Sequence, residues 1–315
     1  MARDGLIEGI KHARLSGSEK TKFAHKQEAG RFVEELREQG HGVQKWQNVT
    51  SRQLADVAEA WVNRGLAAST VHEYVSGVRQ VAMSYGNDHL ATASKLRDVD
   101  GNAFLDSRQY VTNQDKSVPQ AAYEKAYERL ASGEFGRDGQ CLAEQMKLAR
   151  YAGLRHEESR KADPLHTVRR DGTLEITEGT KGALHRWNAN AYPEAREALH
   201  ALVEFRDPKY HNTMQAAESA WEAKAYRMLH EVGIGRNLEA GASFHGLRHA
   251  YAHDRYHDMT GFDCPAKGGT IEAAQAVAGE GWRALDREAR DTLKTELGHG
   301  MDRDAVISLY VGSWG

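Results

Sequence analysis

Apolar side chains in the first third of the chain recur every three to four residues, the spacing that places them on one face of an α-helix. The clearest runs are Leu54–Asn63 and Val71–Tyr85, and Gly65 stands between them, where the first of these helices would end. The charged residues fall mostly between the apolar positions and therefore on the opposite faces. The pattern predicts a small bundle of about four helices over residues 1–110.

The pattern weakens over Asn87–Ser117, which holds turn-forming segments such as "DVDGN" and favours a linker between two domains. Farther along, apolar residues alternate with polar ones between His166 and Ala189, around an Asp-Gly pair and a glycine-rich turn. This alternation predicts a β-hairpin or a three-stranded meander. Helices are expected at Gln120–Ala131, Gly139–Ala152, Pro193–Phe205, Ala216–Glu231, Leu247–Met259, Glu280–Leu297 and Arg303–Tyr310, and Gly261–Gly281 is expected to be irregular.

The fold class follows from these elements. We expect a two-domain protein in which a helical bundle, residues 1–110, precedes a C-terminal domain, residues 111–315. That second domain should be mainly α with one small antiparallel β-sheet. A chain of 315 residues is long enough to give both domains a core.

Composition narrows the function classes. The 42 Lys and Arg against 45 Asp and Glu residues leave a net charge of −3, whereas a generic DNA-binding protein is usually basic. Any contact with nucleic acid must therefore depend on local patches. Cys141 and Cys264 are too few for a disulfide framework. Since the chain also shows neither a secretory signal nor an apolar run that could span a membrane, we expect a soluble, cytoplasmic protein.

Histidines crowd one segment, "SFHGLRHAYAHDRYHDMTG", and allow two interpretations. His249, His253 and His257 are spaced four apart, so a helix would place them on one face, where a histidine pair can bind zinc. This segment lacks the intervening glutamate of such motifs and has no cysteine or carboxylate cluster beside it. The pattern therefore favours His253 and His257 as outward-facing polar residues, and no metal is expected.

The second interpretation is a site for an anion such as a phosphate. Phosphoryl transfer needs arginines that bind the non-bridging oxygens in pairs, a proton donor for the leaving oxygen and a nucleophile. Four separate segments hold suitable side chains: "ARYAGLRHEES", "GTKGALHRW", "FHGLRHAYA" and "ELGHGMDRDAVISLY". The candidates in these segments are Arg155, Glu158, Lys181, His245, Arg248, His249, His299 and Tyr310.

In this order the segments resemble those of the tyrosine recombinases, the phage-integrase family. "AGLRHEES" is similar to the segment around that family's first catalytic arginine, and "GTKG" to its β-hairpin lysine turn. "FHGLRHAYA" resembles its His-x-Leu-Arg-His segment, and "ELGHGMDRDAVISLY" its Leu-Gly-His segment and nucleophilic tyrosine. The resemblance covers roughly residues 116–315, and residues 259–290 look like an insertion. The N-terminal bundle matches the family's core-binding domain in size and helical pattern.

The resemblance implies a function for each candidate. Tyr310 would attack a DNA phosphodiester and form a 3′-phosphotyrosyl bond, while Arg155 and Arg248 hold the phosphate oxygens. Lys181 would donate a proton to the leaving 5′ oxygen. The remaining residues would assist: His245 in proton transfer, His299 as a hydrogen-bond partner of the phosphate, and Glu158 and His249 as braces behind the site.

The resemblance also implies partners and leaves alternatives. We expect double-stranded DNA, a homo-tetramer on paired recombination sites, accessory DNA-bending proteins, an association with the nucleoid, and no cofactor or metal. One alternative is a relative that binds DNA without catalysis. The other is a metal-dependent hydrolase built on His249, His253 and His257.

Overall fold

A computed structural model describes residues 4–92, 111, 113–180, 185–209, 211–213, 218–299 and 304–314. The chain divides into two compact units, Met1–Gln109 and Tyr110–Gly315. The mainly α architecture with a small antiparallel sheet, expected from the apolar pattern, is confirmed. No helix among these residues is both long and apolar enough to cross a membrane.

The first unit is a helical bundle around one apolar core. Within residues 4–92 it contains α1 (Gly5–His12), α2 (Glu19–Glu38), α3 (Ser51–Asn63), α4 (Ala68–Met83) and α5 (Asp88–Thr92). Thr50 begins α3 with a reciprocal cap, because its side chain accepts from the Gln53 N–H while the Gln53 side chain accepts from the Thr50 N–H. The core is built by apolar side chains from all of these helices and by Trp46, which lies between α2 and α3. Its other members include Leu6, Phe32, Leu36, Leu54, Trp61, Val78 and Leu90.

The second unit carries the candidate site. Its described helices are α6 (Gln120–Ala131), α7 (Gly136–Ala152), α8 (His156–Lys161), α9 (Pro193–Leu202), α10 (Glu218–Glu231), α11 (His245–Thr260), α12 (Ile271–Ala278), α13 (Trp282–Glu296) and α14 (Asp304–Val311). The strands β1 (Leu174–Ile176) and β2 (Arg186–Asn188) pair antiparallel, with Leu174 opposite Asn188.

Helix α11 stands between two apolar clusters, and this position explains its composition. Leu247 on α11 belongs to the cluster formed with α6, α7, α9 and α10, whereas Tyr251 and Tyr256 belong to a second cluster with α13 and α14. A helix packed on both sides has little surface left for water. Polar side chains such as Arg248, His249 and His253 are therefore buried, and they require partners within the protein.

The structure differs from two of the expectations drawn from the sequence, and a third lies largely outside the described residues. Gly261–Gly281 is not irregular throughout, because it contains α12, an alanine-rich helix that Thr270 caps by accepting from the Ala273 N–H at 3.2 Å. The outward position expected of His253 is wrong, since α11 is enclosed and this side chain is only 4% exposed. Residues 93–110 of the expected linker lie outside the described residues, and the linker's first residues form α5.

Gly153 ends α7 in a conformation that only glycine adopts easily. Its φ is +65°, and a Cβ atom there would lie 2.6 Å from Tyr251 Cδ1 and 2.8 Å from Leu297 Cδ2. The "AGLR" segment therefore needs glycine both for its backbone and for the close approach of α11 and the residues after α13.

We expect Gly153→Ala to lower the free energy of unfolding of the second unit by about 3 kcal/mol, from backbone strain and steric overlap together. Gly281→Ala is the matched control, because Gly281 has a φ of −76° and no atom within 4 Å of the added Cβ. Urea unfolding followed by circular dichroism measures both. Equal stability of the two variants would contradict this account of Gly153.

Candidate active site

The predicted site residues come from four parts of the second unit. Arg155 lies at the start of α8, and His245, Arg248 and His249 lie on the first turns of α11. His299 lies just after the end of α13, and Tyr310 lies on α14. The structure brings these side chains together around one buried carboxylate. Lys181 lies outside the described residues.

That carboxylate is Glu158, which has no exposed surface. Its Oε1 accepts from Arg155 Nη1, and its Oε2 accepts from Arg186 Nη2 at 2.7 Å and lies 3.6 Å from Arg248 Nη1. Oε2 also accepts from the backbone N–H of Arg155 at 2.8 Å, so the carboxylate caps α8 as well. Three guanidinium groups therefore converge on one carboxylate.

Charge explains how this cluster tolerates burial. Burial alone would raise the pKa of Glu158, but the charges of Arg186, Arg248 and Arg155 outweigh it and lower that pKa to about 2. The carboxylate thus stays ionised, and its single charge leaves the three arginines with an excess of positive charge. An excess of this kind, on planar groups that bind oxygen pairs, suits a phosphate.

Arg248 is fully buried and donates in several directions. Its Nη1 donates to the Gly153 carbonyl, and its Nη2 donates to the Leu297 carbonyl at 2.5 Å and lies 3.4 Å from His299 Nε2. Its Nε donates to the Tyr310 hydroxyl at 3.1 Å. One side chain therefore joins the end of α7, the segment after α13 and the hydroxyl of α14.

Tyr310 lies among imidazole rings and is itself only 5% exposed. The centroid of its ring is 5.7 Å from that of His245, 4.7 Å from that of His249 and 5.7 Å from that of His299. Arg248 Cζ lies 5.4 Å from the same centroid. A cation that donates to a phenol oxygen stabilises negative charge on that oxygen, which is the charge that a nucleophilic tyrosine develops.

The three imidazoles are held in the neutral form. Burial, together with the charges of Arg248 and Arg155, lowers the pKa of His245 to about 4, although this residue keeps exposed surface. Burial together with His245 and His253 lowers the pKa of His249 to about 3. Burial and the charge of Arg248 lower the pKa of His299 to about 3. At neutral pH each ring can therefore accept a proton or a hydrogen bond.

Arg186 belongs to the site and was not among the residues singled out from the sequence. It is 3% exposed, and besides Glu158 it donates to the Glu296 carbonyl and, at 3.4 Å, to the Gly153 carbonyl. The alternation of side-chain burial along β2 could have indicated this position, because Arg186 and Asn188 are buried and Trp187 between them is exposed. An arginine on the inner face of a strand requires a buried anion, and Glu158 supplies it.

The metal hypothesis for the histidine helix is not favoured by the side-chain geometry. Among the described residues, no group of three or more His, Cys, Asp or Glu side chains is placed to hold a metal ion. His257 is exposed, and its Nδ1 lies 3.1 Å from Asp263 Oδ1. His253 is buried, and its Nε2 lies 2.9 Å from the Tyr310 carbonyl oxygen. The two rings therefore contact different groups.

Comparison with solved structures identifies the fold. The chain is similar to XerH site-specific recombinase bound to difH substrate in a pre-cleavage complex (TM-score 0.56, 14% identity, 91% of this chain and 75% of that chain). It is also similar to the post-cleavage complex of XerH with palindromic difH (TM-score 0.55, 13% identity, 96% of this chain and 89% of that chain). A third similar structure is that of Tn1549 transposon integrase with transposon right end DNA (TM-score 0.53, 13% identity, 96% of this chain and 93% of that chain).

No protein-family model and no curated protein matches the sequence. At identities of 13–14%, the likeness to XerH and to the Tn1549 integrase concerns the fold. The resemblance to tyrosine recombinases, drawn from four short segments, is confirmed at that level.

The neutral imidazoles predict how stability depends on pH. In the unfolded chain the histidines titrate near 6.5, whereas in the folded protein the pKa values of His249 and His299 are about 3. The unfolded state therefore binds protons first, and stability present above pH 6.5 should be lost progressively as the pH falls towards 3. Urea unfolding at pH 8, 6 and 5 measures the slope.

Matched variants assign this slope to the site. His299→Gln should make the loss between pH 6.5 and 5 shallower, because it removes one buried titrating group. His257→Gln changes an exposed histidine and should leave the slope as in the wild type. Identical slopes for the two variants would contradict burial of a neutral His299.

Proposed function

We propose that this chain is a site-specific DNA recombinase that cleaves and rejoins DNA through a covalent 3′-phosphotyrosyl intermediate. The single observation that carries the proposal is the hydrogen bond from Arg248 Nε to the Tyr310 hydroxyl, at the edge of a cluster of three arginines. If Arg248 binds the phosphate, the Tyr310 hydroxyl that it contacts lies beside the phosphorus that it would attack. The fold, shared with recombinases that were crystallised with DNA, supports the same conclusion.

The first step would be an attack of the Tyr310 oxygen on a DNA phosphorus. The bond from tyrosine oxygen to phosphorus forms, the bond from phosphorus to the 5′ oxygen breaks, and the DNA strand leaves as a 5′ alcohol. The phenol proton passes to His245, and the leaving oxygen takes a proton, which by the family resemblance Lys181 supplies. Since the phosphotyrosyl bond replaces one phosphodiester bond, no external energy source is required.

The second step reverses the first on a new strand. The 5′ hydroxyl of a partner strand attacks the phosphotyrosyl phosphorus and returns its proton to the group that protonated the leaving oxygen, which by the family resemblance is Lys181. The bond from phosphorus to the tyrosine oxygen breaks, and that oxygen recovers its proton from His245. The two steps conserve the number of phosphodiester bonds, so strands are exchanged rather than hydrolysed. Burial of Tyr310 helps here, because it limits the access of water to the intermediate.

Arg155 and Arg248 differ in exposure and would therefore contact the phosphate in different ways. The Arg155 side chain is 22% exposed and can reach an incoming phosphate directly, whereas that of Arg248 is enclosed beneath the Tyr310 ring. A phosphate oxygen bound to Arg248 would therefore lie beside the tyrosine hydroxyl. We infer that Glu158 holds the two arginines in this arrangement and that Arg186 in turn holds Glu158, neither of them touching DNA.

The imidazoles fit a proton-transfer function that depends on the substrate. Burial is the largest cause of the low pKa of His245, and Arg248 and Arg155 lower that pKa as well. An anionic phosphate bound to both arginines would offset their charge, so their part of the shift would be reduced when DNA is in place. The ring would become a better base at the moment when the tyrosine has to lose its proton.

The assembly also belongs to the proposal. The substrate would be double-stranded DNA, and the exchange of two duplexes requires four cleavage sites, which a homo-tetramer supplies. Accessory DNA-bending proteins and a cytoplasmic location at the nucleoid fit this function. With a net charge of −3, the affinity for DNA would come from local lysines and arginines rather than from the overall charge.

We expect Tyr310→Phe to abolish cleavage and to leave DNA affinity nearly unchanged, because only one hydroxyl is lost. Wild-type protein incubated with a nicked target site should give a protein–DNA adduct on a denaturing gel. Tyr226→Phe, which removes an exposed hydroxyl on α10, is the matched control and should give the same adduct as the wild type. An adduct with the Tyr310→Phe variant would exclude Tyr310 as the nucleophile.

We expect Arg155→Ala to lower the rate of adduct formation by about 10²-fold or more, the effect of losing one donor to the transition state. Arg155→Lys should restore only part of the rate, since an ammonium group cannot bind two phosphate oxygens as a guanidinium does. Arg129→Ala removes an exposed arginine that pairs with Glu134 and should have no effect. Full activity of the lysine variant would contradict a two-pronged contact.

A further inference from the structure

His253 contacts the same tyrosine as its two neighbours on α11. His245, His249 and His253 follow one another at intervals of one helical turn, and the first two place their rings against the ring of Tyr310. The third reaches the backbone instead, where its Nε2 lies 2.9 Å from the Tyr310 carbonyl oxygen. The sequence pattern alone favours an outward position for this histidine.

We propose that His253 is a positioning residue for the nucleophile: its Nε2–H holds the backbone carbonyl of Tyr310 and thereby sets where the tyrosine oxygen lies. This inference rests on the proposed function of Tyr310. A carbonyl oxygen only accepts hydrogen bonds, so the hydrogen of the neutral ring must be on Nε2. His253 is 4% exposed, so water has little access to this bond.

The carbonyl of Tyr310 needs such a donor. Helix α14 ends at Val311, and the last four carbonyls of a helix have no N–H partner within the helix. The N–H of Gly312 bonds to the Ser308 carbonyl, and the N–H of Ser313 bonds to Asn113 Oδ1 at 2.9 Å. Among the described residues no backbone N–H bonds to the Tyr310 carbonyl, and His253 satisfies it with the N–H of a neutral ring.

The other edge of the imidazole faces Asp115 without a hydrogen bond to it. His253 Nδ1 makes no hydrogen bond among the described residues and lies 3.7 Å from Asp115 Oδ1. Asp115 is held by Ser117, whose N–H and hydroxyl donate at 2.8 and 2.6 Å, and by Lys267 Nζ at 3.0 Å. In the Nε2–H tautomer Nδ1 carries no hydrogen and makes no bond to Asp115, so the contact of Nε2 with the Tyr310 carbonyl is the described hydrogen bond that orients the ring.

Position matters because the reacting atoms of a displacement must approach within about 3.5 Å and in line. Arg248 holds the hydroxyl end of Tyr310, and His253 holds its backbone end. Without the second contact, α14 can shift along α11 while the arginine contact adjusts. The cost would then appear in the rate of the chemical step and not in the affinity for DNA.

Three substitutions separate the hydrogen bond from the volume of the side chain. The amide nitrogen of His253→Gln can reach about as far as Nε2 and can donate to the carbonyl, whereas that of His253→Asn reaches only as far as Nδ1. His253→Leu fills the space without any donor. His257→Gln, one turn farther on an exposed position, is the control.

With a nicked DNA duplex and saturating full-length protein, we expect the single-turnover rate of adduct formation to fall about tenfold or more in His253→Leu and His253→Asn. His253→Gln should recover most of that rate. Dissociation constants from filter binding should match the wild type in all three variants. A wild-type rate in His253→Asn, or a Gln rate equal to that of a folded Asn variant, would overturn the proposal.

Two further measurements do not depend on activity, so they separate failure of this inference from failure of the proposed function. In protein labelled with ¹⁵N-histidine, His253 should be the Nε2–H tautomer, and a ring with its hydrogen on Nδ1 would overturn the inference even if DNA is cleaved. Amide hydrogen exchange of residues 304–314 should be faster in His253→Asn than in His253→Gln. Equal exchange in these two variants would also overturn it, even if the wild type forms no adduct.

Discussion

The candidate site depends on the interaction of the buried Glu158 carboxylate with three arginines. A lone carboxylate without exposed surface would be protonated or would unfold its surroundings, and a buried guanidinium without an anion would be equally costly. Three arginines from α8, β2 and α11 share this one carboxylate, so these elements satisfy one another only when they are together. The excess of positive charge that remains is what makes the cluster a site for an anion rather than an inert ion pair.

Backbone carbonyls also hold the arginines of this cluster, because they accept hydrogen bonds from them. Arg248 and Arg186 both donate to the carbonyl of Gly153, and Arg248 also donates to that of Leu297. Gly153 and Gly298 have φ values of +65° and +63°, and a Cβ at Gly298 would collide with the Arg186 side chain. The glycines of "AGLR" and "LGH" therefore allow the backbone to approach the arginines closely enough to take part in holding them.

Local chemistry explains what the sequence by itself determined. The period of the apolar residues predicted most helices, because a helix buries one face wherever it packs. The spacing of His245 and Arg248 within one turn predicted that they share a site, since geometry within a helix needs no tertiary information. The order of four short segments predicted the fold, which the solved structures confirm. Helix α12 was missed because glycines surround a short run of helix-forming residues.

Only the tertiary structure decided what each polar side chain meets. His253 and His257 lie on α11 within one turn of each other, yet one is buried against the Tyr310 carbonyl and the other is exposed beside Asp263. Their difference arises from the elements that pack on α11, and their spacing, which places both on one face of the helix, does not distinguish them. Arg186 became part of the site for the same reason, because β2 turns it towards Glu158, a residue on another element. Burial and partnership are properties of contacts between distant segments, and such contacts exist only once the chain has folded.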